Sequence, residues 1–204
     1  IGNQHAYTMF SFDPVKTVTS IDGGALIVNR KQRTSLEASR LIGMSQPSKE
    51  MYKNQRAWSY DVESIGFRYH MSNLHAAIGI EQLNKIEGIK ESRRKTCSTF
   101  SKAFSQVPGL ISPDANFESG NPFLFYVRIL HGRRDEFRSY LKKLSVDTGI
   151  HWPPAHTFTL FANSPKGKLE ITEKIAGEVV TLPLHSHMSS SDQDRVVEAV
   201  RGCR

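Results

Sequence analysis

The period of hydrophobic and polar positions changes several times along the 204 residues. Residues 5–12, HAYTMFSF, alternate loosely and are rich in aromatic and β-branched types, which predicts a strand. GGALIVN (23–29) is a continuous apolar run behind a Gly-Gly turn and predicts a buried strand. KQRTSLEASRLIGM (31–44) has the spacing of an amphipathic helix ending near Gly43. SQPSKEMYKNQRAWSYDVES (45–64) has no clear period and is long enough for a functional loop. From Ser72, a candidate N-cap, Leu74, Ala77, Ile80, Leu83 and Ile86 recur every three residues. Helical spacing continues to Val107, where Pro108-Gly109 stops it. A helix over 72–107 is therefore expected to bridge two domains, with a bend near Gly88.

Beyond residue 110 strands and helices alternate. FLFYVRIL (123–130) and VVTLPL (179–184) predict strands. RDEFRSYLKKL (134–144), KLEITEKIAGE (168–178) and SSSDQDRVVEAVR (189–201) predict helices, the last capped by Ser189 or Ser190. The pattern is that of an α/β layer divided into two domains, residues 1–90 and 91–204. No repeat or low-complexity segment interrupts it.

Composition narrows the class. With 38% hydrophobic and 23% charged residues, the chain reads as soluble and globular. No apolar run approaches the ~20 residues that span a bilayer, and IGNQHAYTMF has no signal-peptide pattern. Starting on Ile1 inside a strand-like segment, the sequence reads as a fragment. The net charge of +7 is compatible with a phosphate-bearing partner. Its basic groups, ESRRK and HGRRDEFRSYLKK, are interleaved with acids, so neither nucleic acid nor membrane is expected as a partner. Cys97 and Cys203 lie far apart, without metal spacing, and are expected to be free thiols in a reducing cytoplasm.

The chemistry lies in an ordered series: FSFDPVK, DGGALIV, GFRYHMSNLHAAIGIEQLNKIE, GIHWPPAH and TLPLHSHMSSSDQDRVVEAV. Together these blocks resemble the DegT/StrS-type sugar aminotransferases, fold type I enzymes that use pyridoxal 5′-phosphate. The resemblance runs over nearly the whole chain. It implies the end of a large cofactor domain and a small C-terminal α/β domain, joined by the long helix.

It also implies roles. Lys16 falls on the lysine that holds the cofactor as a Schiff base, and Ser11 on the hydroxyl that binds its phosphate. A lysine amine attacks only when neutral, so a shielded site suits it better than an open loop. GFRYHMS matches the segment that reaches across a dimer to the partner's cofactor phosphate. Relatives often carry asparagine then arginine where this chain has Arg68 and His70, so either residue is a candidate for that contact. GIHWPPAH resembles a loop near the sugar, which makes His151 a candidate substrate contact. No metal is expected, because His151 and His156 lack ligand spacing with other histidines or acids. The Gly23-Gly24 pair is read as a turn that permits positive φ.

The implied activity is transfer of an amino group from an amino acid, glutamate by resemblance, to a keto group of a nucleotide-linked sugar. Such a step belongs to amino-sugar and polysaccharide biosynthesis, in a cytoplasmic homodimer. Two alternatives stay open. Dehydratase-like relatives carry histidine at the position of Lys16, and a truncated relative would serve only in binding or dimerisation. The family's phosphate cup, stacking aromatic ring and pyridine-binding aspartate have no counterpart here; Asp13 and Asp22 do not match the last. The chain alone is therefore expected to be inactive.

Overall fold

A computed structural model describes residues 7–44 and 61–203. Most of the loop expected over 45–64 lies outside these residues. The chain divides into two compact units, Ile1–Ile86 and Glu87–Arg204.

In the first unit, β1 (Tyr7–Ser11) and β2 (Gly24–Val28) form an antiparallel pair with Met9 opposite Leu26 and Ser11 opposite Gly24. Of the two glycines at the turn, only Gly23 has a positive φ, at 112°. Gly24 serves differently: a Cβ there would lie 2.6 Å from the carbonyl oxygen of Phe10, so the strand pairing itself requires glycine. Helix α1 (Arg30–Ser39) starts at Asn29, whose side chain accepts from the Gln32 N–H. It stops four residues earlier than Gly43. The N–H groups of Leu41 and Gly43 both turn back to the Ala38 carbonyl, with φ of 53° at Ile42 and 81° at Gly43. That turn frees residues 40–42 to bridge the segment around Arg68.

The single long helix expected over 72–107 is two helices, α2 (Asn73–Asn84) and α3 (Ile86–Phe104). They part at Lys85, whose N–H bonds back to Gln82, while Gly88 lies within α3. Ser72 caps α2, as its sequence position predicts, by accepting from the His75 N–H. The apolar row of α2 is not a buried stripe in this unit: Leu74, Ile80 and Leu83 are exposed.

The second unit has a core of its own. A three-stranded antiparallel sheet, in order β3 (Leu110–Ile111), β4 (Phe125–Ile129) and β5 (Val179–Leu182), packs with α3, α4 (Arg134–Lys143) and α6 (Ser190–Gly202). Alternation places Phe125, Val127 and Ile129 on the core face of β4, with Val180 and Leu182 beside them from β5. Phe100, Phe104 and Phe125 meet with ring centroids 5.4–6.2 Å apart. Between α4 and β5 run two short 3-10 turns, Ala155–Thr157 and Thr159–Phe161, and helix α5 (Glu170–Ala176). Arg93 is only 8% exposed and spends its guanidinium on the carbonyls of Pro122 and Phe123, while Arg94 bonds Gly120. These bonds fasten the approach to β4 onto α3.

Candidate active site

Lys16 belongs to a loop, residues 12–23, that is closed by its own hydrogen bonds. The Phe12 N–H donates to Gly23 O, and the Ser20 N–H and the Thr19 hydroxyl both donate to Phe12 O. The Ser20 hydroxyl, fully buried, donates to Asp22 O at 2.6 Å. Asp13 organises the near side, where its carbonyl accepts from the Lys16 N–H and its carboxylate from the Val15 N–H. Ser11 Oγ accepts from the Asp13 N–H at 3.4 Å. These bonds satisfy the loop's backbone groups without a core beneath it. Lys16 is half-buried on this frame.

Segment 67–69 pairs with residues 39–42. Phe67 bonds Ser39 O, Tyr69 bonds Arg40 O, and Ile42 bonds Phe67 O. The approach requires Gly66, because a Cβ there would strike the backbone of Ile42 and Gly43. Phe67 and Tyr69 stack at 5.0 Å and 7°.

Ser11, Arg68 and His70 line one open groove of the first unit, together with Gly23, Ser72 and Arg40. Lys16 is outside that lining. Hydroxyl, guanidinium and imidazole groups can each donate to phosphate oxygens. Asp22 also borders the groove, with one carboxylate oxygen taken by the Gly23 N–H.

His151 belongs to the second unit. Gly149 and Thr181 exchange backbone hydrogen bonds of 2.9 and 2.8 Å, which fixes the loop against β5. The ring then folds back so that Nδ1 lies 3.0 Å from Thr181 Oγ1. Further along, His156 Nε2 meets Glu173 Oε1 at 3.2 Å and ties the loop to α5. Neither Thr181 nor Glu173 was indicated by the sequence. Each lies well apart along the chain from the histidine it holds, and no local pattern signals such a pair. Among the described residues, no cluster of His, Cys, Asp or Glu could hold a metal ion. Cys97 and Cys203 are free thiols, and no described helix is long and apolar enough to cross a membrane.

A two-unit α/β chain of this topology has the architecture of part of a fold type I aminotransferase. The chain belongs to the DegT/DnrJ/EryC1/StrS aminotransferase family, whose profile matches residues 1–201. It is 28% identical to the spore coat polysaccharide biosynthesis protein SpsC of Bacillus subtilis, over 98% of this chain and 54% of SpsC. Among solved structures, the aminotransferase TlmJ from Streptoalloteichus hindustanus superposes with a TM-score of 0.85 at 26% identity, covering 98% of this chain and 52% of TlmJ. DesV from S. venezuelae gives 0.82 at 27% identity, covering 98% and 52%. The chain thus spans about half the length of these relatives. The cofactor of the family is pyridoxal phosphate, and Spr1654 of Streptococcus pneumoniae is a neighbour solved in its PLP form.

Proposed function

We propose that this chain is the C-terminal half of an aminotransferase that moves an amino group from an amino acid, glutamate by family likeness, to a keto group of a nucleotide-linked sugar. The observation that carries the reading is Lys16 on its braced loop, five residues beyond Ser11, in a chain matched end to end by an aminotransferase family. Lys16 is the covalent attachment point for pyridoxal phosphate. Ser11 binds the phosphate of the same site, and Arg68 or His70 supplies a cation to the phosphate of the partner copy in a homodimer. When bound, the cofactor supplies an electron sink for cleavage at the amino-bearing carbon. This chain contributes orientation and a proton carrier: the Lys16 amine, once displaced by the donor, is placed to move a proton in each half of the cycle. His151 meets the sugar nucleotide. The sequence name of SpsC supports a product that enters polysaccharide synthesis.

Lysine at position 16 favours transamination over the dehydration that relatives with histidine there carry out. The test is a single half-reaction. Full-length enzyme loaded with pyridoxal phosphate and given glutamate should lose its cofactor absorbance band and release 2-oxoglutarate, with ping-pong kinetics once a keto-sugar nucleotide is added. An enzyme inert to every amino donor would contradict the reading. The 204 residues by themselves are expected to be inactive, since they span about half of each relative.

A further inference from the structure

Thr181 sits on β5 opposite Tyr126, between Val180 and Leu182, which face the core. Its side chain therefore points to the far face of the sheet, yet the residue is only 5% exposed. Its hydroxyl meets His151 Nδ1 at 3.0 Å. Gly149 makes this possible. A Cβ at that position would lie 2.6 Å from His151 Cε1 and 3.0 Å from Nδ1, so any larger residue would push the ring off Thr181. Trp152 packs edge-on against the imidazole at 5.1 Å and 85°, which restricts it from another side.

From this geometry we infer that Thr181 and Gly149 are positioning residues that lock His151 with Nδ1 inward and present Nε2 to an oxygen of the sugar nucleotide. The inference rests on the reading of His151 as a substrate contact. A hydroxyl has one hydrogen and two lone pairs, so Thr181 can serve Nδ1 in either ring state. With Nδ1 committed, Nε2 is the nitrogen left for a ligand, as donor or acceptor according to the role Thr181 takes at Nδ1. His151 itself is exposed, and among the described residues only Thr181 is bonded to its ring. An imidazole held at one nitrogen binds without first losing its ring rotation. The ligand oxygen is a sugar hydroxyl or a phosphate oxygen.

The test combines NMR and binding on the full-length holoenzyme with T181V, T181S and G149A. In wild type and T181S, a nuclear Overhauser contact is expected between His151 Hε1 and Gly149 Hα. T181V is expected to lose it, and G149A to move the ring. The T181V and G149A changes should weaken binding of UDP-glucose or dTDP-glucose about threefold to tenfold, the scale of one hydrogen bond. T181S should restore it. A His151 shift on adding UDP or dTDP alone assigns the contact to phosphate, and a shift only with the glucose conjugates assigns it to the sugar. If T181V keeps the ring contact, the positioning role is overturned. If the ring moves but none of these ligands binds differently, the substrate role of His151 is overturned instead.

Discussion

Single residues in this chain take their properties from what surrounds them. Cys97 is fully buried among Phe100, Phe104 and their neighbours, and that burial pushes its thiol up to about 12. The nearby Arg93 guanidinium opposes the shift without cancelling it. A thiol whose folded value is raised stabilises the fold while it stays protonated. That contribution is complete at neutral pH and is lost as pH climbs from the ordinary thiol range toward 12. At pH 8, iodoacetamide should therefore modify the less buried Cys203 well before Cys97. Equal rates, read by peptide mass spectrometry, would contradict the packing. Arg93 is itself held below its ordinary value by burial, and its place is secured by carbonyls rather than by a carboxylate.

At the scale of elements, α6 has a reciprocal cap. Ser189 Oγ accepts from the Asp192 N–H, and the Asp192 carboxylate takes both the Ser189 N–H and its hydroxyl. Those bonds hold the Asp192 carboxyl below the usual carboxylate range. The cap is therefore complete above that range and fails as pH falls through the lowered value. S189A should cost about 1 kcal/mol in chemical denaturation, and no change would mean the box contributes nothing. The cap was legible as Ser189 or Ser190 because it immediately precedes its helix in sequence, while its Asp192 partner was not singled out. Strand β4 was legible too, since its alternating Phe125, Val127 and Ile129 follow the strand period. The break at Lys85 was not legible, since α2 and α3 both keep helical spacing and nothing local marks the joint. The short β3 was missed because two residues carry no period. Lys16, Ser11, Arg68, His70 and His151 were singled out from ordered motifs. The Thr181 partner of His151 depends on the Gly149–Thr181 bridge, which only tertiary structure reveals.

Across the whole chain the two units differ in what they bury. Among the described residues, every hydrophobic residue of the core belongs to the second unit, from Cys97 onward. Among the described residues of the first unit, only Ser20 and Gly43 are buried, while Met9, Leu26, Ile65 and Leu74 are open, Ile65 at 95%. A two-stranded sheet with apolar residues exposed has little to hold it closed. In the 204 residues alone, amides of β1 and β2 should exchange with deuterium far faster than those of β4 and β5. Equal protection in the two units would show that the first is stable by its own contacts.

Attachment of pyridoxal phosphate at Lys16, as proposed, can be read by borohydride reduction. The full-length protein is incubated with pyridoxal phosphate, reduced, digested and mapped by mass spectrometry. One dominant phosphopyridoxyl adduct is expected, on the peptide containing Lys16, with its loss in K16A. An adduct concentrated on another lysine, or spread over many with K16A labelled like wild type, would contradict it.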